Sequence, residues 1–289
     1  MKSAVIGGKK YSYIDSIKVQ STDYNTVHIV QPSHNSIELT RLSIECIRRF
    51  TKPPYVIWVV DNNSNNQTRN ELSKIEGINI IFNRTDVGTF WRPWYLMKYG
   101  GSIANGVALE LAAKYIDGKY MFVMHNDCVP VKSGWLDFLK SKITEKVKIA
   151  GVSQDKTRVH AVHQSGFLFD FELYHKLKLS FMHNNPEYDV GDYITIGLKQ
   201  NGYDSFVCKN SYNNPELDAL FTDPKYPLFL RDRAIDQHPV DRCIDDENKL
   251  IYLHLGRGSK VGRNGDKRIS VSDWMHLITQ HFLAATPNQ

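Results

Sequence analysis

The chain has 289 residues, of which 42% are hydrophobic, and its formal net charge is +5. This length suits one large domain, and the dispersed basic residues do not favour a nucleic-acid-binding protein. No run approaches the roughly 20 apolar residues that a membrane span needs. The four cysteines form no CxxC pair and the first residues lack the apolar stretch of a signal peptide, so we expect free thiols and a cytoplasmic protein.

Strand and helix patterns alternate along the first half of the chain. Short β-rich or apolar runs predict strands at 26–35, 55–61, 78–82, 120–124 and 147–153. Apolar residues three or four apart, or strongly helix-forming runs, predict helices at 37–50, 102–116 and 135–143. This alternation is typical of an α/β fold with a mostly parallel sheet that helices cover on both faces.

The second half of the chain is less regular. Residues 165–177 predict a strand and a short helix, and residues 189–203 predict a helix that ends at Gly202. Residues 210–247 contain several prolines and no sustained period. We expect a connection of that length to be functional or mobile.

Polar residues follow three of the predicted strands, at 32–35, 61–64 and 125–127. Ligands bind at the carboxyl ends of parallel strands, so these three segments should converge on one crevice. Asp127, with His125 beside it, could hold a divalent cation that neutralises a diphosphate, or it could simply cap the following helix. Asp61 could accept hydrogen bonds from a nucleotide base or ribose, or it could close a local Asx-turn.

Two later segments carry further candidate side chains. Asp189 and Asp192 lie on either side of Gly191 at the start of a predicted helix, where one could be a general base and both could be ordinary caps. His254 ends a predicted strand and precedes a loop rich in glycine and cations. That loop could bind phosphate, or it could be a basic surface loop beside a core histidine.

One more histidine pair, His160 and His163, has the spacing of two metal ligands. The pair has no cysteine partners, so this spacing does not by itself indicate zinc. Core or surface positions are the ordinary interpretation of such histidines.

Taken in this order, the segments resemble the glycosyltransferases of the GT-A fold, and in particular the inverting family 2. "VHIVQPSHN" (27–35) resembles the opening strand of that family, and "VIWVVDNNS" (56–64) resembles its second strand, whose aspartate contacts the nucleobase. "SIANGVALELAAKYIDGKYMFVMHND" (102–127) is similar to the helix and strand that lead to the Asp-x-Asp metal motif. "YDVGDYITIGLKQNGY" (188–203) resembles the helix with the catalytic aspartate, and "YLHLGRGS" (252–259) resembles the segment that closes over the diphosphate.

Two positions depart from the family pattern. His125 stands at the first acidic position of the metal motif, so the role of metal ligand carries over better to Asp127. Gly191 stands where the family has a glutamate, immediately before Asp192.

The resemblance implies a domain organisation and an activity. It implies an N-terminal extension at 1–25 and a nucleotide-sugar-binding core at 26–209. Residues 210–289 would form the acceptor side, a strand, a basic lid loop and a terminal helix.

The activity would be metal-dependent transfer of a hexosyl group, with inversion, from a nucleoside diphosphate sugar to a hydroxyl of a glycan or glycolipid in polysaccharide biosynthesis. The cofactor would be Mn²⁺ or Mg²⁺, and peripheral contact with a membrane stays open.

The resemblance also implies a role for each candidate residue. Asp192 would be the catalytic base, with Asp189 as the second choice. The metal ligands would be Asp127, His254 and His125. The nucleotide would contact Pro32, His34, Asp61, Asn105, Arg257 and Lys260. A non-catalytic nucleotide-sugar-binding module and a nucleotidyltransferase remain as alternative functions.

Overall fold

The computed structural model describes residues 1–152, 161–209, 215–224, 230, 240–256 and 270–284. Nine strands form the main sheet: β1 (Lys2–Ile6), β2 (Lys9–Ser16), β3 (Val27–Ser33), β4 (Tyr55–Asn62), β5 (Asn79–Asn83), β6 (Tyr120–Met124), β8 (Val147–Val152), β9 (Gly166–Asp170) and β10 (Asp204–Cys208). Three more form a small second sheet: β7 (Cys128–Pro130), β11 (Asp241–Ile244) and β12 (Leu250–His254). The helices are α1 (Ile37–Phe50), α2 (Asn66–Ser73), α3 (Pro93–Ala113), α4 (Trp135–Ser141), α5 (Glu172–Lys176), α6 (Asp192–Gln200) and α7 (Val271–Ile278).

The main sheet has the strand order β1-β2-β5-β4-β3-β6-β9-β8-β10. Strands β2 and β9 are antiparallel to both of their neighbours, and the remaining pairings are parallel. Seven of the nine strands therefore run in one direction. The predicted α/β class with a mostly parallel sheet is confirmed.

Helices cover both faces of the central strands, which is why those strands are apolar along their length. On β4, the side chains of Val56, Trp58 and Val60 belong to the same apolar cluster as Ile103, Val107 and Leu111 of α3. The alternate residues Ile57 and Val59 pack with Ile44 and Ile47 of α1 and Leu72 of α2 on the opposite face. Because successive side chains of a strand point to opposite faces of the sheet, β4 contributes side chains to both apolar clusters.

Several element boundaries differ from those predicted. Helix α1 occupies the predicted range, whereas α3 begins at Pro93 and not at residue 102. Proline suits the first position of a helix because its missing N–H would have no intrahelical partner there. Two glycines, at 100 and 101, lie inside this helix, and because of them the sequence pattern did not predict its first two turns.

The first 16 residues form a β-hairpin that extends the main sheet. Gly7 and Gly8 have φ values of +54° and +75° and form the turn between β1 and β2. Strand β2 then pairs with β5, with Tyr13 opposite Asn83.

The four cysteines are buried free thiols. Within the part of the chain that the structure describes, no helix combines the length and the apolar character required to cross a bilayer.

A first prediction concerns Gly151, where β8 and β9 approach most closely. A Cβ on Gly151 would lie 2.6 Å from Phe167 Cα and closer still to the Gly166 carbonyl oxygen, and both are backbone atoms. We expect Gly151→Ala to lower the free energy of unfolding by about 1–3 kcal/mol or more, because the two strands must move apart.

The matched control is Gly101→Ala, at an exposed position inside α3 where an added Cβ would meet no atom within 4 Å. This variant should gain about 0.5–1 kcal/mol from the higher helix propensity of alanine. Urea denaturation measures both changes. Equal effects of the two substitutions would contradict the close approach of β8 and β9.

Candidate functional site

A three-residue turn at the carboxyl end of the main sheet carries the first group of candidate residues. His125, Asn126 and Asp127 follow β6, and the Cys128 amide donates a hydrogen bond to the His125 carbonyl at 3.3 Å. The Asn126 side-chain amide donates to Ser36 Oγ at 2.6 Å and to Thr40 Oγ1 at 3.1 Å. Asn126 therefore fixes the turn to the start of α1, directly after the end of β3.

The second sheet brings His254 to this turn. Strand β12 pairs antiparallel with β7 so that His254 lies opposite Cys128, and the Leu255 amide donates to the Asp127 carbonyl at 3.1 Å. As a result, His254 Nε2 lies 3.4 Å from Asp127 Oδ1, and His125 Nδ1 lies 4.0 Å from the same oxygen. The three side chains offer one ligand atom each, all within 4.8 Å of one another.

The three side chains differ in exposure. Those of Asp127 and His254 are 7% and 4% exposed, and that of His125 is 21% exposed. Burial lowers the pKa of His125 to about 4, although the nearby Asp127 charge acts in the opposite direction. The His125 imidazole is therefore neutral at neutral pH.

This donor set fits a divalent metal ion. A carboxylate and neutral imidazoles are ordinary protein ligands for such ions. Ligand atoms that are each about 2.0–2.2 Å from one ion lie roughly 3–3.5 Å apart in tetrahedral or octahedral geometry. The Asp127–His254 separation already has this value, whereas His125 Nδ1, 4.0 Å from Asp127 Oδ1, would have to move closer.

A second polar group lies at the ends of β3 and β4. Asp61 is completely buried, and its Oδ2 accepts a hydrogen bond from the Ser64 amide at 3.1 Å. The local turn that the sequence left open as an alternative is therefore present. The other oxygen, Oδ1, is buried and has no hydrogen-bond partner among the residues described. Burial raises the pKa of Asp61, and the hydrogen bonds from Ser64 oppose this shift only in part.

The residues around Asp61 are held by the loop that follows β3. His34 Nδ1 lies 2.9 Å from the Asn62 carbonyl oxygen, and the Asn35 amide donates to Ser64 Oγ at 2.8 Å. Pro32 is buried on β3 and lies opposite Val60 of β4. It lies beyond the last β3 residue that pairs with β6, so the absence of an N–H on proline interrupts no hydrogen bond between β3 and β6. The end of β3 and the end of β4 thus form one rigid unit with Asp61 inside it.

Asn105 is another predicted nucleotide contact. It is half-buried in α3, and the neighbouring Gly106 packs against the Phe181 carbonyl oxygen, 3.2 Å from where a Cβ would lie. No hydrogen bond joins Asn105 to the Asp61 or Asp127 group within the described part of the chain. Its contact with a nucleotide stays a prediction.

Asp192 is the first residue of α6 and is buried. Its Oδ2 accepts a hydrogen bond from the Asp189 amide at 2.7 Å, and Asp189 Oδ1 accepts one from the Val190 amide at 2.8 Å. Both carboxylates therefore accept backbone amides of the segment just before α6, and neither caps the helix, whose N-cap residue is Gly191. Asp189 also lies near enough to His125 and to His183 to raise the pKa of each, against the effect of burial.

The conformation at Gly191, the position where the family that the sequence resembles has a glutamate, favours glycine. Its φ is +81°, a conformation that favours glycine, and an added Cβ would lie 3.2 Å from Phe167 Cε1. A longer side chain at this position would disturb both the backbone at the start of α6 and the packing on β9.

Two residues that matter for the site were not identified from the sequence. Asn126 fixes the turn, as described above. Glu110 of α3 accepts hydrogen bonds from Tyr174 Oη at 2.6 Å, Ser180 Oγ at 2.7 Å and the Phe181 amide at 2.8 Å. It thereby anchors the segment that leads to Asp189. The sequence feature that could have identified Glu110 is its position as the single carboxylate inside the apolar helical run 107–113.

Some predicted residues lie outside the described residues. These are Arg257 and Lys260, the rest of the basic lid loop after Gly256, and His160. His163 is described, and its ring centroid lies 5.8 Å from that of His125.

Comparison with solved structures returns glycosyltransferases, the class that the sequence motifs resemble. The mannosyltransferase PcManGT from Pyrobaculum calidifontis, solved with GDP-Man and Mn²⁺, aligns with a TM-score of 0.49 at 14% identity over 64% of this chain and 55% of that chain. S. aureus TarS 1-349 in complex with UDP gives 0.40 at 14% identity over 54% and 50% of the two chains. Glucosyl-3-phosphoglycerate synthase from Mycobacterium tuberculosis, in complex with phosphoglyceric acid, gives 0.45 at 15% identity over 63% and 68%.

The chain thus spans about half the length of the first two of these proteins. No protein-family model and no curated protein matches it. Because every one of these TM-scores is below 0.5, the activity proposed below rests on the site residues.

Proposed function

We propose that the chain is an inverting glycosyltransferase of the GT-A type, which moves a sugar from a nucleoside diphosphate donor to a hydroxyl of a glycan acceptor. One observation carries the proposal. Asp127, His125 and His254 gather at the carboxyl edge of the parallel strands, and Asn126 ties their turn to the unit that holds the buried Asp61. This edge is where α/β sheets bind nucleotides.

The donor nucleotide would bind over the ends of β3 and β4. Asp61 Oδ1 is a buried acceptor without a partner among the described residues, so it suits an N–H of the base or a hydroxyl of the ribose. Pro32 and His34 would shape the walls of this pocket. Asn105, Arg257 and Lys260 belong to the same proposal as further contacts, the two cations toward the phosphates.

The diphosphate would lie toward the turn after β6. Asp127, His125 and His254 would hold a divalent ion there. Such an ion, when bound, supplies positive charge that offsets the charge on the departing diphosphate. Burial of Asp127 and His254 keeps water from competing for these ligand positions.

The acceptor would be activated by Asp192. Its carboxylate would take the proton of the acceptor hydroxyl while the hydroxyl oxygen bonds to the anomeric carbon and the bond from that carbon to the diphosphate oxygen breaks. One displacement of this kind inverts the anomeric centre. Asp189 is the second choice because it lies close enough to His125 to influence its pKa.

One observation favours a second function, that of a nucleotide-sugar-binding module without turnover. The Asp192 carboxylate accepts the Asp189 amide, so it already has a structural role at the start of α6. A protein of this second kind would bind the donor and leave it unchanged with every acceptor.

Nucleotide binding should depend on the charge of Asp61. Asp61→Asn places an N–H₂ donor where an acceptor is needed, so we expect the affinity for the preferred nucleoside diphosphate to fall by roughly 1.5–3 kcal/mol. The folded protein should be no less stable, because the amide oxygen can still accept from Ser64 and a buried charge is removed. Calorimetry with UDP and GDP, with thermal unfolding alongside, tests both parts.

The control for this variant is Asp86→Asn. Asp86 also closes its own turn, with Oδ1 accepting from the Gly88 amide at 2.8 Å, but it is exposed. It should leave nucleotide affinity unchanged. If Asp61→Asn and the wild-type protein bind the nucleotide with equal affinity, Asp61 serves only to close its local turn.

Proton removal should depend on Asp192. An asparagine there can still accept the Asp189 amide, so we expect Asp192→Asn to fold and to bind nucleotide and metal normally while donor turnover falls by about 10²–10⁴-fold. Release of nucleoside diphosphate from donor sugars, measured with a panel of glycan acceptors, reports the loss. Asp189→Asn is the paired variant. If Asp189→Asn loses turnover and Asp192→Asn does not, the base is Asp189. If the wild-type protein itself shows no turnover, the binding module is favoured.

A further inference from the structure

The donor set of the proposed metal site differs from the Asp-x-Asp motif of the family that the sequence resembles. A motif with two aspartates would offer an ion two anionic oxygens from the turn after β6. Here the turn offers one carboxylate, from Asp127, and an imidazole from His125, and β12 adds a second imidazole from His254. We propose that His125 makes this site select ions that favour imidazole, such as Co²⁺ and Zn²⁺, and discriminate against Mg²⁺. The inference rests on the metal site of the proposed function.

Ligand chemistry gives the first argument. Mg²⁺ is a hard ion that prefers oxygen ligands in near-ideal octahedral geometry, usually carboxylates and water. Imidazole nitrogen suits later first-row ions, whose affinities rise from Mn²⁺ through Co²⁺. The cluster offers a hard cation two nitrogens and only one carboxylate.

Burial gives the second argument. The side chains of Asp127 and His254 are 7% and 4% exposed. Mg²⁺ loses its bound water reluctantly and usually keeps several water ligands in a protein. A buried cluster leaves little room for such a shell, whereas a four-coordinate ion can use three protein ligands and one oxygen from the substrate.

The positions of the ligands give the third argument. His254 is set by the β12–β7 ladder, and its Nε2 lies 3.4 Å from Asp127 Oδ1, a separation typical of two ligands on one ion. His125 is held by the turn that Asn126 fixes. Its ring is close to both partners, with its centroid 5.5 Å from that of His254. The side chains therefore form one donor set and not a chance encounter of exposed groups.

The test is calorimetric titration of the full chain with Mg²⁺, Mn²⁺, Co²⁺ and Zn²⁺, each without nucleotide, together with the visible absorption of bound Co²⁺. We expect Mg²⁺ to bind at least about a hundredfold more weakly than Co²⁺, with Mn²⁺ between them. His125→Asp gives the cluster a second carboxylate in place of an imidazole. The ratio of Co²⁺ affinity to Mg²⁺ affinity should therefore fall by at least about tenfold, and the absorption spectrum of bound Co²⁺ should change. His276→Gln, an exposed histidine of α7, controls for surface binding and should change nothing.

The outcomes separate this inference from the proposed function. Comparable affinities for Mg²⁺ and Co²⁺ in the wild-type protein overturn the inference, and this series needs no variant to fold. An unchanged ratio in a folded His125→Asp protein also overturns it. If no ion binds, both the inference and the proposed metal site fail. If ions bind with the expected order but no nucleoside diphosphate binds, the inference stands and the proposed function fails.

Discussion

The pairing of β12 with β7 is the constraint on which the site depends. It brings His254 to Asp127 from the other end of the chain, and a slip of one residue would turn His254 to the opposite face. The apolar side chains oppose such a slip. Leu253 packs in a cluster with Val129 and Trp274, whereas Tyr252 faces the other way and donates to the Ser165 carbonyl. The hydrophobic alternation of this short strand thus sets the geometry of the candidate metal site.

Three carboxylates of the candidate site are buried. Asp61, Asp127 and Asp192 are 0%, 6% and 5% exposed. Removing a charged group from water costs free energy unless hydrogen bonds or opposite charges replace the lost hydration. Backbone amides do this for one oxygen of Asp61 and one of Asp192. Asp61 Oδ1 has no hydrogen-bond partner among the described residues, so the free-energy cost of burying its charge is offset only in part.

The sequence predicted the elements with strong local patterns and missed those that depend on distant partners. Helix α1 and strand β4 follow directly from apolar periodicity, and the polar strand ends located Asp61 and Asp127. The β12–β7 pairing joins segments more than a hundred residues apart, so no local pattern could reveal it, and His254 was placed near the metal only through the family resemblance. The absence of a glutamate at Gly191 became intelligible only once its positive φ was known.

The central claim is that a nucleoside diphosphate and a metal ion share one crevice between the β3–β4 ends and the turn after β6. A crystal structure with UDP or GDP and Mn²⁺, with anomalous data that locate the ion, tests it most directly. We expect an anomalous peak at about 2.0–2.4 Å from ligand atoms of Asp127 and His254, with the base or ribose against Asp61. A nucleotide or ion bound elsewhere, for example in the groove between α1 and α2 near Arg41, Arg48 and Lys74, would contradict the claim.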